Sequence, residues 1–146
     1  MLKKIEKSEF ESICKIRFKN VLQAFDKYNY EIKSCETIAT YYQVIEELYI
    51  KNGVYAIIDF YCERLKKENF NELISKVPDE YKDELQKFEI FIETDSTYFI
   101  IKSEKLLKAL TYINYNELFF VNFYFERLEI TVWPNFNNEL MIFREK

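Results

Sequence analysis

Asp59 sits in the run VYAIIDFYC, with apolar residues on both sides. A carboxylate so placed is the chain's best candidate for a raised pKa, the property a general acid needs at neutral pH. Glycosidase-type chemistry requires a second acid a few ångströms away, and among 25 acids nothing in the sequence singles one out. A structural role is the simpler expectation, with Asp59 at the rim of a buried helix and bonded to a tyrosine or lysine. Other chemistry is excluded by composition. The chain has no histidine, which removes the Ser-His-Asp and Cys-His arrangements and most zinc and iron sites. Its single glycine, Gly53, cannot build a phosphate-cradling loop. Cys14, Cys35 and Cys62 lack the CxxC spacing of a metal site and are odd in number, which argues against a disulfide framework. The expectation is a protein with no catalytic residue, no metal and no cofactor.

Charge is distributed unevenly. The net charge is −4, yet residues 78–96 (PDEYKDELQKFEIFIETDS) hold seven acids against Lys82 and Lys87, a local −5. The acids are Asp79, Glu80, Asp83, Glu84, Glu89, Glu93 and Asp95. If FEIFIE is an exposed strand, Phe91 lies between Glu89 and Glu93 on one face. An aromatic anchor within an acidic rim has the make-up of an interface hot spot for a basic partner. The plain alternative is a solvated helix followed by an edge strand guarded by charge. Basic residues are less organised. Lys15, Lys19, Gln23 and Lys27 recur every four residues, as on the solvated side of an amphipathic helix. An overall acidic chain argues against nucleic acid.

A third group is aromatic. LFFVNFYFERLEITVW, residues 118–133, carries six rings. Period-two alternation puts Phe119, Val121, Phe123 and Phe125 on one face and Leu118, Phe120, Asn122 and Tyr124 on the other. Leu128, Ile130 and Val132 then share a face opposite Glu129, Thr131 and Trp133. The first set of each strand belongs in a core. Phe120, Tyr124 and Trp133 fall on the mixed face, to be covered by other elements or left as an exposed aromatic patch, where a homodimer contact is an option. Tyrosines elsewhere (Tyr41, Tyr42, Tyr49 and Tyr61) could join Tyr124 around an apolar ligand pocket with polar tips.

The whole-chain character resembles small bacterial immunity proteins, which neutralise a toxin domain by covering it. The resemblance rests on the acidic balance, the 78–96 segment and the missing catalytic motifs, and on no individual residue. It implies a cytoplasmic, non-enzymatic inhibitor that occludes a basic, nuclease-like toxin. The abundance of Lys, Ile, Asn, Phe and Tyr fits an AT-rich bacterial or phage genome. The rival expectation is a small-ligand-binding or sensor domain with a Tyr/Phe-lined pocket. An uncharacterised phage or mobile-element protein is the third.

The elements expected to position these residues make an α+β fold of one domain over 1–146: a helical amino-terminal half (about 8–87) packed on a carboxy-terminal antiparallel sheet (88–144) of about five strands with one inserted helix. Ser8 and Glu11 read as a capping box opening a helix to Phe25. A second helix runs from near Ser34 to the Asn52-Gly53 stop. A third covers Val54 to Leu65, followed by short helices at FNELISKVP and Asp79–Lys87. FEIFIE and YFIIK read as strands, EKLLKALTYI as the inserted helix capped by Ser103, and the last three strands as a meander. MLKKIEKSEF has no apolar stretch of the signal-peptide kind. No apolar run approaches the length of a membrane span, so a soluble protein is expected.

Overall fold

The computed structural model describes residues 2–146. Seven strands form one antiparallel sheet, β1 (Leu2–Ile5), β2 (Asn29–Ser34), β3 (Ala56–Asp59), β4 (Tyr98–Ile101), β5 (Asn122–Phe125), β6 (Ile130–Asn135) and β7 (Glu139–Arg144), in the order β1-β4-β3-β5-β6-β7-β2. Six helices accompany it: α1 (Lys7–Ile13), α2 (Val21–Lys27), α3 (Ile38–Lys51), α4 (Lys67–Ser75), α5 (Asp79–Gln86) and α6 (Glu104–Tyr115). The fold is α+β. Among the described residues the sheet has seven strands rather than five; β2 and β3 lie in the half expected to be helical, and β1 precedes it. No helix among the described residues is long and apolar enough to cross a membrane.

The carboxy-terminal meander follows its alternation. Phe123, Phe125, Val132, Leu140 and Ile142 face the main core together with Ala56, Ile58, Phe99 and Ile101. Helices α3 to α6 cover that face. α6 buries Leu106, Leu107, Leu110 and Ile113, and Ser103 accepts the Leu106 N–H as its cap. α3 buries Tyr41, Ile45 and Tyr49 behind a capping box made by Thr37 and Thr40. Gly53 ends the α3 turn at φ +96°, a backbone conformation that calls for glycine, while the Arg127 guanidinium 2.8 Å from a Cβ built there could swing aside.

Three expectations fail for identifiable reasons. The expected third helix is β3 followed by a single 3-10 turn at Cys62–Arg64. β3 lies between β4 and β5, all four residues are buried, and a strand buried on both faces shows a continuous apolar run that periodicity cannot separate from a helix. FEIFIE is no strand. Phe88 is buried and stacks on Phe60 at 4.1 Å, Ile90 is 80% exposed, and Glu89–Phe91 forms a 3-10 turn. The alternation is broken by that turn, so Phe88, Ile90 and Ile92 share no face. Finally, the long first helix is split into α1 and α2 by the segment Cys14–Asn20. Asn20 caps α2 by accepting the Leu22 N–H at 2.8 Å, whereas α1 starts directly behind β1 with no side-chain cap. The Ser8–Glu11 capping box does not form. Two strands escaped the sequence reading: β1, of four residues, and β2, exposed along all six of its residues, form the two sheet edges.

Candidate ligand cleft

The second face of the sheet is covered by α1, α2 and the segment joining them. Ile5, Phe10, Cys14, Ile57 and Tyr124 make one small apolar cluster there, and Ile16, Ala24, Tyr28, Met141 and Phe143 make another. Two sheet-side contacts hold the joining segment down: Thr131 donates its hydroxyl to the Ile16 carbonyl, and Trp133 packs on Phe18 with ring centroids 4.8 Å apart. A cleft of about 960 Å³ remains on this face, walled by Phe10, Phe18, Tyr61, Tyr98, Tyr124 and Trp133.

Asp59 lies behind the cleft wall. Antiparallel register sets it across from Tyr98 on one side and Asn122 on the other. One carboxylate oxygen accepts the Asn122 backbone N–H at 2.9 Å. The other accepts Tyr61 Oη–H at 2.9 Å, Tyr124 Oη–H at 3.1 Å and the Asn122 side-chain amide at 3.1 Å. Burial pushes its pKa up, and the four donors pull the other way. Burial followed by the neighbouring Asp59 charge raises the Tyr61, Tyr98 and Tyr124 hydroxyls, so all three stay protonated as donors. Through two of these bonds Asp59 orients the Tyr61 and Tyr124 hydroxyls. The expected bond to a tyrosine is present, made from a strand rather than a helix rim.

The tyrosines give the cleft its wall. Phe10, 2% exposed, stacks on Tyr98 at 3.8 Å and meets Tyr124 edge-on at 4.8 Å. The Arg64 guanidinium lies 4.7 Å from the Tyr61 ring centre, a cation–π distance. Arg17 donates to the Cys14 carbonyl at 2.7 Å. At the mouth, Lys4 sits 3.6 Å from Glu6 and 3.9 Å from Asp95, and Lys7 sits 3.9 Å from Glu11. Arg17, Lys19 and Arg64 make no salt bridge among the described residues. The Trp133 indole N–H is buried without a hydrogen-bond partner among the described residues. Cleft-lining cations and a spare buried donor thus stand beside aromatic rings. No cluster of three or more metal-ligating side chains occurs among the described residues. The three cysteines are free and buried, and burial pushes the Cys14 and Cys62 thiols up to about 12.

The residues singled out in the sequence distribute differently. Tyr61 and Tyr124 meet at the cleft, whereas Tyr41 and Tyr49 are buried in the opposite core beneath α3. Phe120, Tyr124 and Trp133 form no shared exposed patch: Tyr124 is 4% exposed, Trp133 is half-buried against Phe18, and Phe120 packs edge-on against Phe136 at 5.1 Å. Of the acidic segment, Asp79, Glu80, Asp83, Glu89, Glu93 and Asp95 are exposed. Glu84 is half-buried and bridges to Lys87 at 2.9 Å, and Asp79 bridges to Lys82 at 3.1 Å. Phe91 is no anchor between carboxylates; it is half-buried and lies edge-on to Phe99 at 5.1 Å. Ile90 is the exposed apolar side chain among the acids. Tyr98, Arg17, Arg64 and Phe10 escaped the sequence reading; Tyr98 is set beside Asp59 by the β3–β4 register, and the other three are placed by the segments around the sheet. No protein-family model, curated protein or solved structure matches the chain.

Proposed function

We propose that this protein binds a small ligand in the cleft, one that combines an anionic group with a planar apolar portion. The observation that carries this reading is the coincidence in one cavity of Arg17, Lys19 and Arg64, none in a salt bridge among the described residues, with the rings of Tyr61, Tyr98 and Trp133. The volume suits a small molecule. Guanidinium groups give an anion paired hydrogen bonds, and the rings give its flat part a stacking surface. Asp59 keeps Tyr61 and Tyr124 in fixed orientations, so part of the wall is organised before binding. The proposed role is binding, with Asp59 committed to four donors inside the cleft wall.

A sulfonated aromatic dye such as anilinonaphthalene sulfonate tests the cleft directly, followed by a thermal-shift panel of anionic metabolites. Trp133 is the sole tryptophan and stands in the wall, so a bound dye quenches its emission by energy transfer. The expected outcome is saturable quenching by the native protein that weakens at least tenfold in the double variant Arg17→Ala, Arg64→Ala, with its melting temperature within a few degrees of the parent. Quenching that is absent, or equal in the variant, overturns the reading.

A second reading has its own observation. Ile90 is exposed on a turn between exposed Glu89 and Glu93, near Glu80 and Asp83 in sequence, and none of these four acids makes a salt bridge among the described residues. Such a surface suits an inhibitor that covers a basic toxin, as the immunity-protein resemblance implies. Reversal of Asp83, Glu89 and Glu93 to lysine is then expected to abolish retention of a basic host protein that the parent holds at low salt and releases at about 0.5 M. Glu84 is left intact because it is tied to Lys87. Equal retention by the reversal variant removes this surface from consideration.

A further inference from the structure

The two edges of the sheet differ in what they offer another strand. β1 reads Leu-Lys-Lys-Ile, and antiparallel pairing with its own copy about its centre sets lysine against lysine. Lysines on an edge are a common guard against such pairing. β2, at the opposite edge, reads Asn-Tyr-Glu-Ile-Lys-Ser and all six residues are exposed. Tyr30 is 50% and Ile32 48% exposed, so neither a helix nor a loop covers this edge.

Hydrogen-bond parity shows which groups are free. Cys35, the residue after β2, donates its N–H to the Asn138 carbonyl at 3.0 Å, on the β7 side. β2 pairs with β7 without a bulge from Asn29↔Arg144 to Ser34↔Glu139. Peptide groups alternate sides along a strand, so Glu31 and Lys33 also turn their N–H and C=O toward β7. Tyr30, Ile32 and Ser34 turn theirs to the open edge.

We propose that β2 pairs antiparallel with β2 of a second copy of this chain, about a twofold axis at Ile32, joining two seven-stranded sheets into one of fourteen. In that register Ile32 exchanges two hydrogen bonds with its symmetry mate, and Tyr30 and Ser34 of each copy exchange two with Ser34 and Tyr30 of the other. All three outward residues are satisfied. Glu31 of each copy stands directly across from Lys33 of the other, twice by symmetry, and Ile32 meets Ile32 on the opposite side of the ribbon. Opposite charges facing across a ladder stabilise it and like charges oppose it. The interface is isologous, as a twofold contact must be. Glu31 also lies 3.0 Å from Arg144, which leaves its second oxygen for the incoming lysine. The second copy is favoured over an unrelated strand because the motif Glu-Ile-Lys is complementary to itself when reversed.

The test is sedimentation of the full chain over a range of concentrations, with single and mixed charge variants. The native protein is expected to move from monomer to dimer as concentration rises. Lys33→Glu alone presents two acids per copy and Glu31→Lys alone two bases, so each variant is expected to stay monomeric at every concentration where the parent dimerises. An equimolar mixture of the two restores both cross-strand pairs and is expected to form a mixed dimer. Both positions are exposed, and an unchanged melting curve confirms that each variant folds. A native protein that is monomeric throughout overturns the proposal. So does a Lys33→Glu variant that dimerises like the parent, or a mixture that fails to associate.

Discussion

The two faces of the sheet are built on different terms. Toward α3–α6 the strands present Phe99, Ile101, Phe123, Phe125, Val132 and Ile142 to four helices, and the core is continuous from Cys35 to Ile142. Toward α1 and α2 the same strands present Asp59, Asn122, Tyr98, Tyr124, Thr131 and Trp133. The covering there is two seven-residue helices and their joining segment, with two separate apolar clusters. One face buries a single continuous apolar cluster. The other admits a cleft and buries Asp59 among four hydrogen-bond donors. Adjacent residues of a strand serve opposite ends: Ile58 supports the main core while Asp59 organises the cleft wall. Stability and the proposed binding are thereby divided between faces whose residues alternate along each strand.

Truncating one ring on each face is the sharpest way to break this comparison. Phe99 is fully buried and touches Phe88 edge-on at 5.2 Å and Phe91 at 5.1 Å. Phe99→Ala is expected to cost about 3–5 kcal/mol, because a closed core cannot collapse around the missing ring. Phe10→Ala is expected to cost about 1–2 kcal/mol less than that, since α1 sits beside an open cleft that water and side-chain movement can fill. Urea unfolding of both variants measures the difference. Equal costs would mean that the second face is as tightly sealed as the first, and would weaken the case for a ligand cleft.

What the sequence makes legible follows the same division. The meander, α3 and α6 were readable because residue types alternate along them, as Asn122 and Tyr124 do with Phe123 and Phe125 even where all four are buried, so their periods of 2 and 3.6 survive in the pattern. β3 was not, because Ala56, Ile57, Ile58 and Asp59 are buried on both sides, and VYAIIDFYC shows no alternation. β2 had the opposite problem: Tyr30-Glu31-Ile32-Lys33 alternates, but an exposed edge of six residues carries little apolar weight. Phe88–Glu93 alternated and misled, since Phe88 is anchored by Phe60 and the chain turns immediately after it. Of the cleft, Asp59, Tyr61 and Tyr124 could be singled out by type. Tyr98, Phe10, Arg17 and Arg64 could not: Tyr98 reaches Asp59 through the β3–β4 pairing, Phe10 follows β1 on its pairing with β4, Arg17 comes with the segment held by Thr131 and Trp133, and Arg64 stands on the turn after β3.

Asp59 gives the finest test of the comparison, through pH. Its folded pKa is raised, chiefly by burial, so the native state holds this proton to higher pH than the unfolded chain does. Below the unfolded value of about 3.9 both states are protonated, and the carboxyl imposes no penalty. As pH rises past that value the unfolded chain releases its proton first, and stability from this group falls until the folded pKa is passed. Asp59→Asn cannot titrate. Its amide oxygen can still accept from Asn122, and the Tyr61 and Tyr124 hydroxyls can turn to accept from its NH₂, so a modest cost of about 1 kcal/mol is expected at low pH. The stability difference between parent and variant should therefore be largest in acid and shrink as pH rises toward neutrality, when other titrating groups cancel between the two proteins. A difference that instead grows with pH would mean that the four donors outweigh burial. The carboxylate would then be a net stabiliser of the second face in its charged form, and that face would owe more of its order to hydrogen bonding than its small apolar clusters suggest.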